Sequence, residues 1–198
     1  MNINTDYDYR IRLALLGDSL VGKTSMIIRF IDNIFSPNIR ETVGINCRSK
    51  IISLGEKRVK VLVSDTSEQE RYISIYKSFF QKLDRVMIVY DITNLESFKR
   101  ARMWIDMARD YNDKNPKIIV GNKTDKEENR KVSKEEGENL AKENNVQFFE
   151  TSALNGDNIE KVFLFFSEKV SNYLENENNL SNNNFTLEKS KKRKNITC

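Results

Sequence analysis

The segment Gly17-Asp18-Ser19-Leu20-Val21-Gly22-Lys23-Thr24 is the strongest constraint on this 198-residue chain. It stands between an apolar, β-rich run ending at Leu13–Leu16 and a stretch of helical period that begins at Lys23. A G-x-x-x-x-G-K-[ST] loop requires that setting: a strand to deliver the chain, a tight glycine turn, and a helix to carry it away. Gly17 and Gly22 permit the turn, whose amides converge on phosphate oxygens, while the helix presents its positive end to the same anion. Lys23 places a cation on the β- and γ-phosphates, and Thr24 offers a hydroxyl to Mg²⁺. Gly17, Asp18, Ser19, Val21, Gly22, Lys23, Thr24 and Ser25 are therefore the candidate phosphate-binding residues. A chance glycine-rich turn would account for neither the strand before it nor the helix after it.

The rest of the chain repeats the alternation. Arg10–Leu16, Cys47–Leu54, Val59–Ser64, Arg85–Tyr90, Lys117–Val120 and Val146–Phe149 read as strands, with helices expected at about 23–33, 72–82, 96–111, 133–144 and 157–174. Phe98, Ala101, Ile105 and Ala108 return every three or four residues, as do Ile159, Val162, Phe163, Phe166, Val170 and Leu174. Asn94 or Ser97 suits one helix N-terminus, and Ser133 with Glu136 suits a capping box at another. Such alternation gives an α/β fold, a mostly parallel six-stranded sheet with helices on both faces. The second and third strands are separated only by a short turn containing Gly55, which makes that pair an antiparallel hairpin.

Composition narrows the function classes. There is no histidine, which removes His-based triads, bases and metal sites, and two cysteines cannot build a disulfide framework or a zinc site. No apolar run approaches a bilayer span, and no secretory signal is visible near Met1. Lys189, Lys191, Lys192, Arg193 and Lys194 carry more positive charge than the whole chain's net +4, so the remainder is close to neutral. That distribution argues against a general nucleic-acid surface and for a local basic patch that meets anionic lipid or a partner. Residues 1–8 read as an N-terminal extension, 9–175 as a globular domain, and 176–198, asparagine-rich and basic-tipped, as a disordered tail.

A phosphate loop does not name a base. The tetrapeptide Asn122-Lys123-Thr124-Asp125 follows the run KIIVG. The Asp125 carboxylate can accept from the N1–H and exocyclic amine of guanine, donors that adenine does not present, while Asn122 can hold the loop and reach the base edge. Lys123 belongs to the same candidate site. Thr151–Asn158 follows the last strand and can bring the Ser152–Ala153 amides to the guanine oxygen, with Leu154 covering the base. The plain alternatives are polar surface turns; after a correctly placed phosphate loop the guanine reading is the stronger.

GDSLVGKT, the TVGI of Thr42–Ile45, DTSEQERY from Asp65, IVYDIT from Ile88, SFKRARMW from Ser97, NKTD and TSAL together resemble the Ras superfamily, and most closely a Rab GTPase, over about residues 9–175. The resemblance implies the G domain of a P-loop NTPase that binds GTP or GDP with Mg²⁺. It implies that Thr42 binds Mg²⁺ and senses the γ-phosphate, that Phe35 packs on guanine, that Asp65 holds Mg²⁺ through water, and that Gln69 orients the attacking water. Gln69, Lys23 and Thr42 are then the catalytic set, and Thr24, Thr42 and Asp65 the metal set. Implied partners are an exchange factor, a GTPase-activating protein and effectors at the switch regions, a GDP-dissociation inhibitor, and the prenylation machinery. The chain is expected to be a monomer on the cytoplasmic face of intracellular membranes, cycling with the cytosol.

Several positions depart from the family. Its D-T-A-G-Q-E segment is Asp65-Thr66-Ser67-Glu68-Gln69-Glu70 here, so a glycine whose amide meets the γ-phosphate has become Glu68. A glutamate restricts the backbone and brings negative charge toward the phosphates, which predicts slowed hydrolysis; a solvated Glu68 is the bland alternative. Leu20, Ser64 and Leu154 replace a small residue, a tryptophan and a lysine. The end KKRKNITC carries one cysteine, Cys198, rather than a double-cysteine signal or a C-a-a-X box, and lipidation there would lean on the basic cluster. Three functions stay in play: a cycling GTPase of vesicle traffic, a nucleotide-holding module that recruits partners without turnover, and, disfavoured by NKTD, an ATP-dependent phosphotransferase.

Overall fold

A computed structural model of the chain describes residues 7–37, 42, 45–66, 83–111 and 117–168. Strand β1 (Tyr9–Leu16) leads through the glycine loop to helix α1 (Lys23–Asp32), and β2 (Ile45–Leu54) and β3 (Lys57–Thr66) follow. Then come β4 (Arg85–Asp91), α2 (Leu95–Tyr111), β5 (Lys117–Asn122), a 3₁₀ turn (Thr124–Asn129), α3 (Lys134–Glu143), β6 (Gln147–Thr151) and helix α4 over residues 159–168. The six strands form one sheet in the order β2-β3-β1-β4-β5-β6. Only β2 and β3 pair antiparallel, and Gly55, at φ 59°, sits in their turn. The α/β reading and the hairpin both hold.

Side-chain alternation divides the core between the two faces of the sheet. Ile11, Leu13 and Leu15 of β1, Met87 and Val89 of β4, and Ile118 and Val120 of β5 pack with α1 and α4, where Phe30 stacks on Phe163 at 4.1 Å between ring centroids. Ala14 and Leu16, Val86, Ile88 and Tyr90, and Ile119 face the other way, onto Ala101, Trp104, Ile105 and Ala108 of α2 and Leu140 of α3. Every residue of β4 and β5 is buried, as strands covered on both faces must be. Each fully buried aliphatic or aromatic side chain contributes about 1.5–3 kcal/mol.

The local signals act as expected at two helix starts. Asn94 accepts from the N–H groups of Glu96 and Ser97, and Ser133 and Glu136 form a reciprocal capping box. Several strand bounds are corrected: β2 begins two residues early, at Ile45, and β3 extends two residues further at each end, over Lys57–Thr66. β5 runs on through Gly121 and Asn122, because their backbones still pair with Tyr90 and Asp91 on one side and Glu150 and Thr151 on the other. β6 starts one residue late, at Gln147, and reaches Thr151. The helix expected at 72–82, the end of the last helix, and the segments 1–6 and 169–198 lie outside the described residues.

In this topology the chain turns to opposite sides of β1, through β3 and then β4, so a crevice opens beyond the carboxyl end of β1. The glycine loop lies there.

A candidate nucleotide cleft

The loop after β1 is folded tightly by necessity. A Cβ on Gly17, at φ 143°, would lie 2.1 Å from the Val89 carbonyl oxygen, so the chain passes β4 with no room for a side chain. Gly22 caps α1 in the left-handed region, φ 97° and ψ 21°, and no side chain caps the helix. The first-turn amides of α1 therefore open toward the crevice, with no acidic residue within that turn. Lys23 is buried, and its ammonium donates to the carbonyls of Gly17 and Asp18 at 2.7 Å each, which holds the charge inside the turn.

Two further elements hold this loop. Asn122, at the end of β5, donates its side-chain amide to the Val21 carbonyl at 2.9 Å and accepts from the Thr151 hydroxyl at 3.1 Å. Trp104 of α2 donates its indole N–H to the Asp18 carboxylate at 2.9 Å, and Arg100 reaches the same carboxylate at 3.3 Å. The Asp18 side chain thus faces α2. Gly17, Asp18, Val21, Asp65 and Ser152 do not line the cleft; Ser19, Gly22, Lys23, Thr24, Ser25, Phe35, Thr42, Asn122, Lys123, Asp125, Ala153 and Leu154 do.

That cleft measures about 390 Å³, within the usual range for small-molecule sites. At one end are the loop and α1. At the other, Phe35, packed partly against the core, faces the 122–125 and 153–154 segments. Lys123, at φ 71°, is drawn along the cleft wall by an ion pair with Asp91 at 2.7 Å. Asp125 accepts from the Ser152 hydroxyl at 2.5 Å. The Ser152 N–H departs from expectation: it is donated to the Asp157 carbonyl at 3.1 Å. Ser152 therefore orients the Asp125 carboxylate, and among the described residues the N–H groups of Ala153 and Leu154 have no acceptor.

Three oxygen donors meet beside Lys23. Thr24 Oγ1 donates to Asp65 Oδ2 at 2.6 Å, Thr42 Oγ1 donates to the same oxygen at 2.8 Å, and the two hydroxyls stand 3.0 Å apart. Among the described residues, Asp65 Oδ1 is buried with no hydrogen-bond partner. A hard cation such as Mg²⁺ takes oxygen ligands at about 2.0–2.1 Å in an octahedron, whose neighbouring ligands are about 3 Å apart. The 3.0 Å between the two hydroxyls fits neighbouring ligands of that cation, and the orphaned Asp65 oxygen fits a carboxylate that would hold it through water. Among the described residues no cluster of three or more acidic, cysteine or histidine residues competes for a metal.

Sequence reasoning missed Trp104, Arg100 and Arg29 as supports of this site. Trp104 left one signal, the sole tryptophan of the chain on an otherwise predictable helix face. Gln69, Glu68 and Cys198 lie outside the described residues.

Residues 12–172 match the model of the Ras family. The chain is 39% identical over 165 residues to the Ras-related protein Rab-10 of Diplobatis ommata, covering 83% of this chain and 82% of that protein. It is 36% identical over 178 residues to the GTP-binding protein ypt2 of Schizosaccharomyces pombe, with 89% of each covered, and 37% identical over 177 residues to the Ras-related protein Rab-8B of Pongo abelii, with 89% and 86% covered. With its mostly parallel sheet, its glycine loop at the end of β1 and this likeness along most of its length, the chain belongs to the Ras family as a Rab-type small GTPase, one of a family that regulates membrane traffic.

Proposed function

We propose that this protein is a guanine-nucleotide switch that alternates between GDP and GTP with Mg²⁺ and hydrolyses GTP slowly. The observation that carries this reading is convergence: the glycine loop, the Asn122–Asp125 segment and the Thr24, Thr42, Asp65 oxygens border one continuous cleft or its floor. Asp125, held by Ser152, accepts from the N1–H and amine of guanine. The free Ala153 and Leu154 amides face the guanine oxygen, and Phe35 and the Lys123 stem cover the ring. Loop amides and Lys23 bind the phosphates. Thr24, Thr42 and Asp65 hold Mg²⁺, whose contribution when bound is to offset charge on the β- and γ-phosphate oxygens. Gln69 positions the attacking water in line with the γ-phosphate.

Glu68 is the basis for slow turnover. Preorganised donors at the γ-phosphate are the main source of rate in phosphoryl transfer, and one misplaced donor costs about 1.4 kcal/mol per tenfold of rate. Nucleotide bound to the purified protein should be GDP or GTP, and single-turnover hydrolysis should quicken in Glu68→Gly. Equal rates in the two would make Glu68 a solvated loop residue, and effective competition by ATP for labelled GDP would remove the guanine assignment. A wild-type rate at background with tight GTP binding would favour a recruitment module that holds nucleotide without turnover.

The domain plan of a G domain over 9–175, preceded by residues 1–8 and followed by the tail 176–198, belongs to the same proposal. In it, Cys198 carries a lipid, and the cluster Lys191 to Lys194 meets anionic lipid, each charge adding about 1 kcal/mol. Exchange factor, activating protein and effectors engage the switch segments, and a GDP-dissociation inhibitor returns the lipidated protein from the cytoplasmic face of membranes to the cytosol. Membrane fractionation of Cys198→Ser tests the anchor; unchanged association refutes it. No helix among the described residues is long and apolar enough to cross a membrane.

A further inference from the structure

Arg29 lies on α1, at the base end of the cleft, and none of the sequence motifs includes it. Its guanidinium makes three hydrogen bonds to backbone carbonyls. Nε donates to Ala153 at 2.9 Å, Nη2 donates to Leu154 at 2.6 Å, and Nη1 donates to Asn33 at 3.1 Å. Ala153 and Leu154 border the cleft directly, and Asn33, the left-handed cap of α1, stands two residues before Phe35. One side chain therefore fastens both walls of the base end, and does so with a planar fork that a lysine cannot reproduce.

The direction of those bonds matters. In a planar trans peptide the carbonyl and the N–H point to opposite sides. Drawing the Ala153 carbonyl toward Arg29 turns the Leu154 N–H away from it, and the Ser152 carbonyl, accepting from Gly156 at 2.8 Å, does the same for the Ala153 N–H. These are the two amides that have no acceptor among the described residues. The Asn155 N–H, next along the chain, is given to the Ser152 hydroxyl at 3.1 Å. The loop thus splits its donors, with two presented outward and the rest tied inside.

We propose that Arg29 is a specificity-determining positioning residue: by pulling on the Ala153 carbonyl it aims the Leu154 amide at the six-position oxygen of the bound purine, beside the Ala153 amide whose peptide the Ser152–Gly156 bond holds. The proposal rests on the guanine reading of the cleft. It separates two parts of base recognition. Asp125 reads the ring N–H and amine from a carboxylate that Ser152 holds, whereas Arg29 sets the response to the oxygen.

The test pairs a protein change with a ligand change. Arg29→Met keeps the aliphatic stem and removes the donors, while Arg29→Lys retains a single cation able to reach one carbonyl. Affinities are measured for GDP and for 2-aminopurine riboside diphosphate, which keeps the amine but lacks both the oxygen and the N1–H, each ligand being compared between parent and variant, with ADP as reference. Arg29→Met should weaken GDP about tenfold, equivalent to about 1.4 kcal/mol, and leave the 2-aminopurine nucleotide unchanged; Arg29→Lys should fall between. Equal weakening of both nucleotides, weakening of neither, or failure of both variants to fold would overturn the proposal, because Arg29 would then be a support of the fold or a bystander. A parent protein that binds ADP or the 2-aminopurine nucleotide as tightly as GDP would instead overturn the guanine reading beneath it.

Discussion

Replacing Gly22 by alanine tests how the phosphate loop is built, because the structure gives each part of its cost. The residue sits at φ 97°, where an L side chain is strained by about 1–2 kcal/mol. The new methyl would lie 2.4 Å from the Asn122 amide nitrogen, well inside contact distance, so Asn122 must move. Moving it breaks the 2.9 Å bond to the Val21 carbonyl and leaves buried polar groups unpaired, about another 1–3 kcal/mol. The sum is about 3 kcal/mol, or roughly two orders of magnitude in nucleotide affinity if the strain is released in the empty protein. Gly55→Ala supplies the control: φ is 59°, similarly strained, yet nothing lies within 4 Å of the added carbon and the turn is remote from the cleft. Release of a fluorescent GDP should be about a hundredfold faster in Gly22→Ala and unchanged in Gly55→Ala, while both lose some thermal stability. Parent-like release from Gly22→Ala would mean that Asn122 and the loop yield without cost, and the argument from close packing would be wrong.

Three further outcomes are expected. Asp125→Asn should weaken GDP and favour xanthosine diphosphate, whose altered edge complements the amide; retention of guanine preference in competition binding would contradict the pairing. Trp104→Phe removes the indole bond to Asp18, worth about 1.5–3 kcal/mol for a carboxylate acceptor, and should speed GDP release at least several-fold; unchanged release would show that Trp104 only packs. The Glu136 carboxyl is held below the usual carboxylate range, first by the Ser133 backbone N–H and then by the Ser133 hydroxyl. A lowered folded-state value gives stability that is present above the unfolded value and lost as pH falls through the folded one. Glu136→Gln should therefore lower the melting temperature near neutral pH, with the two proteins converging in acid; a constant gap across pH would refute the linkage.

The fold was legible because its signals are local and repeat. Short apolar, β-rich runs placed the six strands, a three-to-four period placed α2 and α4, and Ser133 with Glu136 announced a cap that forms as read. The motif residues were legible for another reason: the chemistry of a phosphate loop tolerates few substitutes. What escaped lies in pairings far apart in sequence. Nothing in the α1 sequence shows that Arg29 will meet carbonyls at 153 and 154, or that Trp104 will meet Asp18. The extension of β5 through Asn122 depends on neighbours on both sides continuing, which a single segment's propensity does not reveal. Ser152 escaped because a turn closes on itself there, with its amide going to Asp157.

Asn122 shows why the base end and the phosphate end of this cleft are one mechanical unit. A residue that only recognised a base could hang from a loop; this one is the last residue of a strand, fixed by backbone pairing to β4 and β6. Its oxygen is oriented by Thr151, fully buried at the end of β6, which leaves the nitrogen aimed at Val21. Ser152, the next residue after Thr151, orients Asp125. The carboxyl end of β6 therefore sets both the carboxylate proposed to read guanine and the amide that shapes the phosphate loop. The methyl that Gly22 lacks would occupy the place of that amide, so the glycine and the asparagine are two halves of one contact. Such neighbours do not act independently, and a disturbance at either end of the cleft passes to the other through a chain of buried hydrogen bonds rather than through solvent.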